Sequence, residues 1–223
     1  MQSNLKKYGT LIATALMVLI TAQTGKVAAE EIGFSGWTHQ KFSLLGGNTW
    51  RQDGRELSVD SNGSVSLLWR AVPKTSWQAA SASWNWSVDV GVPPTDLSQK
   101  GGDDRNLSFY VIFAPQNVAE ATEGMGIREL LENPDIRVLM YVWGGTHDRG
   151  AVVPSPYLGA RGRTIVLRPA GLGQHNEDVD LRADLNRVYG RSDFALIGVA
   201  VSADSDDTET RIMARMSSLR FSE

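Results

Sequence analysis

Two acidic clusters, Gly101-Gly102-Asp103-Asp104-Arg105 and Asp204-Ser205-Asp206-Asp207-Thr208, are where side chains able to bind a metal or act as acid and base concentrate in this sequence. Asp204 and Asp206 stand two residues apart, so an extended backbone turns both carboxylates to one side, and Asp207 with Thr208 is placed to turn back toward them. Hard cations such as calcium take about six to eight oxygens from carboxylates, carbonyls and water, which a turn of this kind can supply. Asp103, Asp104, Asp204, Asp206 and Asp207 are therefore the expected metal ligands, with calcium the expected ion. The pattern is not an EF-hand, because the required glycine and the distant bidentate glutamate are missing. Taken alone, either cluster also reads as a solvated acidic turn. The metal reading gains from both clusters bordering strand-like segments, which lets them meet across a sheet edge.

The same carboxylates admit a second chemistry. Asp104 and Asp206 are the alternative catalytic pair, acting as general acid and base on a glycosidic bond, with the outcome set by their separation in space. Acidic turns are far commoner than catalytic pairs in secreted sandwich domains, so the leading expectation assigns no catalytic residue. His39, His147 and His175 are scattered singly and make no metal-ligand spacing. Gly33-Phe34-Ser35-Gly36 lacks the second glycine of a nucleophile elbow at the required offset. Gly171-Leu172-Gly173 has Asn176 where a dinucleotide loop needs its third glycine, and no βαβ unit surrounds it.

Seven tryptophans, at positions 37, 50, 69, 77, 84, 86 and 143, precede the last third of the chain. Trp69, Trp84 and Trp86 fall on the apolar faces of their strands and are expected in the core. Tyr141, Trp143 and Tyr157 lie at a strand end or in a loop, where aromatic faces stack on sugar rings. With Arg105 they form the expected ligand-binding set.

Strands must position these groups, because the dominant period along the chain is two. Ala80, Ala82, Trp84, Trp86, Val88 and Val90 share one face, and Ser81, Ser83, Asn85, Ser87 and Asp89 the other. Val65, Leu67 and Trp69 alternate in the same way, as do Leu107, Phe109, Val111 and Phe113. Further strands are expected over residues 137–143, 163–168, 194–202 and 211–221. The 194–202 run is apolar on both faces, which places it centrally in a sheet. Two short helices are expected. One spans Ile127 to Glu132 and is stopped by Asn133-Pro134, since a residue before proline is pushed out of the helical region. The other starts at Asn176 as N-cap, repeats Leu181, Leu185 and Val188, and ends at Gly190. Gly/Pro/Asp-rich turns fill the intervals. The fold class that follows is mostly β, an antiparallel β-sandwich of the jelly-roll kind with one or two short helices in the connections.

The first residues read as a secretory signal: Lys6 and Lys7 precede the apolar run from Leu11 to Ile20, and Val27-Ala28-Ala29 offers small residues for cleavage. Gln23, Thr24 and Lys26 interrupt the run before it reaches the ~20 apolar residues of a membrane span, so no span is expected once residues 1–29 are removed. What remains, residues 30–223, has the length of one domain and carries 19 basic against 25 acidic side chains, a formal charge of −6. An acidic surface with dispersed arginines excludes nucleic acid as a partner. The sequence contains no cysteine, which fits an exported, periplasmic protein held together by its core.

Trp84-x-Trp86, Asp96, Lys100-x-Gly102-Asp103-Asp104, Tyr141-Val142-Trp143-Gly144, Pro156-Tyr157 and Asp204-x-Asp206-x-Thr208 occur in that order. Together they resemble the bacterial secreted family catalogued as domain of unknown function 3047, over roughly Phe34 to Phe221. The family's last motif resembles Asp-x-Asp-Asn-Thr, and Asp207 stands here in place of the Asn. The resemblance implies a β-sandwich envelope protein and no activity. The functional expectation is a non-catalytic module binding a glycan or other envelope ligand, with a structural calcium site. The alternatives are a carboxylate-dependent glycoside hydrolase or lyase, and a structural or assembly protein of the envelope.

Overall fold

The computed structural model describes residues 29–42 and 46–223, so the export signal expected over residues 1–29 lies, but for Ala29, outside the described residues. The period-two segments form strands β1 (Glu30–Glu31), β2 (Thr38–Lys41), β3 (Thr49–Gln52), β4 (Glu56–Asn62), β5 (Val65–Ala71), β6 (Ser81–Val90) and β7 (Arg105–Pro115). After the helix α1 (Ile127–Glu132) come β8 (Arg137–Trp143), β9 (Val152–Ser155), β10 (Gly159–Arg168) and β11 (Gly173–Asp180). The helix α2 (Leu181–Tyr189), β12 (Phe194–Asp204) and β13 (Arg211–Ser222) complete the order. They build two sheets: a six-stranded one in the order β11-β6-β13-β4-β3 with β1 added on β13, and a seven-stranded one in the order β2-β5-β12-β7-β8-β10-β9. Strand pairing is antiparallel throughout the described residues except between β8 and β10. The protein is a mostly β sandwich of two sheets.

The space between the sheets holds the main core. Trp84 and Trp86 from β6 meet Phe109 from β7 and Tyr141 and Trp143 from β8, with ring centroids 4.8–5.7 Å apart at tilted or edge-on angles. Aromatic pairs in such arrangements add ~0.5–1.5 kcal/mol beyond the area they bury. The seven-stranded sheet also buries its outer face. Tyr110, Ile112 and Ala114 of β7 and Val138, Met140 and Val142 of β8 form a second apolar cluster there, capped by Ile127 and Leu130 of α1. That double coverage is why every residue of β12 is buried and why the strand lies inside its sheet. Trp69, expected in the core, packs half-buried against this outer cluster, because Val65, Leu67 and Trp69 share the outward parity of β5 and Leu68 the inward one.

The first helix has the expected bounds, with Asn133 extended ahead of Pro134. The second starts later than expected. Residues 173–180 pair with β6 along eight positions, burying Glu177 and Val179 while Asn176 and Asp178 face out. Asp180, not Asn176, caps the helix, its carboxylate accepting the Ala183 N–H at 2.8 Å, and Gly190 ends it at φ 71°. The local helix signal at Asn176 yields to a complete ladder with β6. Among the described residues no helix is long and apolar enough to cross a membrane.

Candidate functional site

The two acidic clusters meet at one end of the seven-stranded sheet. Asp204 closes β12 on the outer face, two positions beyond Ser202, while Arg105 opens β7 beside it. Simple alternation would put Arg105 on the inner face with Leu107 and Phe109. A bulge prevents this: Ser202 pairs with Ser108 but Asp204 pairs with Arg105, so β7 holds one residue more than β12 over that step. The bulge turns the guanidinium outward, where Nε donates to Ser108 Oγ at 2.8 Å and Nη2 to Tyr110 Oη at 3.1 Å. Its Nη1 bridges Asp103 Oδ2 at 2.8 Å and Asp204 Oδ2 at 3.0 Å. Burial works against this charge, but Tyr110, Asp204 and Asp103 outweigh it and hold the guanidinium protonated well above its ordinary range.

Asp104 is fully buried and organises the turn that follows β12. Its Oδ2 accepts the Thr208 N–H at 2.7 Å and the Thr208 hydroxyl at 2.5 Å, and its Oδ1 takes the Asp207 N–H at 3.3 Å. One carboxylate oxygen from each of Asp104, Asp204 and Asp206 lies within 4.8 Å of the others. Asp204 is 10% exposed at its side chain, and its Oδ1 is buried with no hydrogen-bond donor. Burial pushes the Asp204 carboxyl up to about 8; Arg105 opposes the shift, and the Asp206 and Asp104 carboxylates add to it. Asp207 is raised in the same sense by burial and by Asp104. Carboxylates are acceptors only, so such a group needs either a shared proton or a cation between its members.

These groups end a cavity of about 390 Å³ on the outer face of the seven-stranded sheet. Asp103, Arg105, Asp204, Asp206 and Asp207 line its polar end, and Leu67, Tyr110, Met140 and Leu158 line its body. Exposed Phe42 and Tyr157 stand at its rim. Tyr157 donates its hydroxyl to Asp103 Oδ1 at 3.0 Å, and its pKa is pushed up to about 12 by burial and by that carboxylate. Lys100 Nζ lies 5.6 Å from the Tyr157 ring centroid.

Arg105, Tyr157 and all five expected carboxylates thus come to one place, but their roles divide. Both Asp103 oxygens are taken, by Arg105 and by Tyr157. Asp104 is fully buried and does not line the cavity, so it presents no face to a substrate, and Asp204 takes its place beside Asp206. Tyr141 and Trp143, expected on a ligand surface, are interior instead. Their positions on β8 carry the inward parity, Tyr141 donating to Asp184 Oδ2 at 2.8 Å and Trp143 packing on Trp86 and on His175. The cleft uses the opposite face of the same strand through Met140. Tyr110, Leu67 and Met140 escaped the sequence reading, although even-numbered apolar positions on β7 beside apolar odd ones signal a strand covered on both faces.

The fold and the site define the class: a two-sheet β-sandwich with an acid-ended cleft on the outer face of one sheet. The chain belongs to the family described as "Protein of unknown function (DUF3047)", whose model matches residues 35–220. No curated protein matches the chain. Among solved structures it is similar to the xyloglucanase domain of NopAA, a type three effector from Sinorhizobium fredii, in complex with cellobiose. That match has 10% identity and a TM-score of 0.48 over 83% of this chain and 92% of the other. It is also similar to a loop-swap mutant of Necallimastix patriciarum Xyn11A, with 10% identity and a TM-score of 0.36 over 87% of this chain and 99% of the other.

Proposed function

We propose that the protein is an exported, non-catalytic binding module, a single β-sandwich domain over residues 30–223, that takes a glycan in this cleft and a calcium ion at its acidic end. The observation that carries the reading is the convergence of Asp204, Asp206 and Asp207 on the polar end of an open cavity whose body is apolar and whose rim is aromatic. Pockets that bind small ligands combine apolar walls with a few convergent polar groups. A sugar ring has an apolar face to lay on Tyr157 or Phe42 and hydroxyls to donate to the carboxylates. Export is supported by the Lys6-Lys7 start, the apolar run and the Val27-Ala28-Ala29 junction, and a mature periplasmic protein beginning at Glu30 checks it.

A hydrolytic reading has one observation in its favour: Asp204, its carboxyl raised to about 8 beside the exposed Asp206, has the form of an acid held protonated next to an ionised partner. Affinity electrophoresis on a broad polysaccharide panel, run beside an assay for released reducing ends, separates the two. Binding without turnover is expected. Turnover that disappears in Asp206→Asn would replace the binding module with an enzyme, and absence of retention on every polysaccharide would remove the glycan.

A further inference from the structure

We infer that the cation at the acidic end of the cleft is held by the protein on one side only, and that its remaining coordination positions open into the cavity, where adjacent oxygens of the ligand enter the shell beside water. This rests on the binding-module reading and changes the role of the ion from structural support to direct contact with the ligand.

Asp103 is directed to Arg105 through one oxygen and to Tyr157 through the other, and it is not among the three carboxylates whose oxygens gather. Asp204 spends Oδ2 on Arg105 and leaves Oδ1 buried, without a donor, in the group it forms with Asp104 and Asp206. Asp104 is locked by the Thr208 N–H and hydroxyl on Oδ2, and only the long 3.3 Å contact from the Asp207 N–H falls on Oδ1, so a lone pair there stays free. Asp206 is exposed and supplies a movable third arm. The four carboxylates of Asp103, Asp104, Asp204 and Asp206 beside the single guanidinium of Arg105 carry a formal charge of −3, which one divalent ion reduces to −1.

Three carboxylate oxygens satisfy about half of a calcium shell of six to eight. Asp204 and Asp206 line the cavity while Asp104 stands behind its wall, so the protein's donors lie on one side and the cavity on the other. A small ion that demands near-ideal octahedral geometry is served poorly by a set with one exposed, movable arm, and calcium tolerates it. The ligand chemistry that follows is a sugar presenting two neighbouring oxygens, as vicinal hydroxyls or a uronate carboxylate do. An anionic sugar in particular meets repulsion from the acidic end until the cation is bound.

The test uses the purified protein stripped with EDTA. Calorimetry with calcium is expected to show one ion bound per chain, with affinity falling at least tenfold in Asp204→Asn and in Asp206→Asn. Asp60→Asn, on the outer face of the other sheet, is expected to leave it unchanged. Europium bound in place of calcium, with its luminescence lifetime compared in H₂O and D₂O, counts the waters on the ion. About three or more are expected from the half-filled shell, and about two or fewer would overturn the inference by showing a closed site. Absence of calcium binding also overturns it and leaves the carboxylates sharing a proton. Because Asp206 is exposed, its variant keeps the test decisive even where Asp204→Asn fails to fold.

Retention on a polysaccharide gel that is lost with EDTA and in Asp206→Asn supports the bridging role. Retention that persists in EDTA overturns that role while sparing the glycan reading. An open, hydrated ion with no retention on any polysaccharide supports the cation site and defeats the glycan.

Discussion

At the scale of single residues, Asp104 and Arg105 are neighbours with opposite duties. Arg105 faces the cleft and bridges Asp103 and Asp204, whereas Asp104 turns away and gathers the backbone of the following cluster. Asp104→Asn keeps the shape but removes the charge from a buried acceptor and sets an NH₂ against one of its donors. It is expected to cost about 1–3 kcal/mol in urea unfolding, the range for an unsatisfied buried polar group. The loss is expected without calcium as well as with it, because the hydrogen bonds to Asp207 and Thr208 belong to the protein itself. Equal stability of the variant and the parent would show that the turn holds without its anchor.

At the scale of elements, the site depends on how closely β7 approaches the end of β8. A Cβ added at Gly144 would lie 2.7 Å from Arg105 Cβ and 2.9 Å from its Cα, so the two backbones meet there with no room for a side chain. Gly144→Ala is therefore expected to push the start of β7 away, destabilising the protein by about 1–3 kcal/mol. The same shift moves Arg105 off Asp204, so calcium affinity in calorimetry is expected to fall too. Gly150→Ala, where an added Cβ meets nothing within 4 Å but φ is 87°, is the matched control: strain in the backbone, no displacement of the site. If both variants keep the parent's calcium affinity, the close approach at Gly144 does not position Arg105.

At the scale of the whole molecule, the core between the sheets and the cleft outside one of them are separate, and substitutions should separate them. Trp143→Ala empties a fully buried position against Trp86, and is expected to cost about 3–5 kcal/mol in urea unfolding. Ligand and calcium binding by the fraction that stays folded are expected to match the parent, since Trp143 faces away from the cleft. The histidines give the molecule a pH response. His39, exposed but partly desolvated and beside Lys41, and His175, half-buried near Arg168 and Arg149 with Glu177 opposing them, both have lowered pKa values. The unfolded chain takes up these protons near 6.5 and the folded chain only below that, so stability falls as pH drops through 6.5. The double variant His39→Gln/His175→Gln is expected to show a shallower loss between pH 7 and pH 5 in thermal melts.

Elements whose signals are local could be read directly from the residue order. Alternation in β6 and β7, the stop of α1 at Asn133-Pro134 and the placing of carboxylates at strand ends follow from short-range sterics and period, which neighbours along the chain suffice to set. Tertiary structure alone decided three things. The bulge that turns Arg105 outward exists only in the pairing of β7 with β12. The burial of Tyr141 and Trp143 depends on which face of β8 meets β6 across the sandwich, and a period of two names two faces without saying which one is inside. Asp104 reaches Thr208 across 104 residues of chain, a contact that exists only once both strands lie in one sheet. The carboxylate types were legible from the start. Their convergence was not, because it is a distance between segments, and only the packed sheets fix distances between residues far apart in sequence.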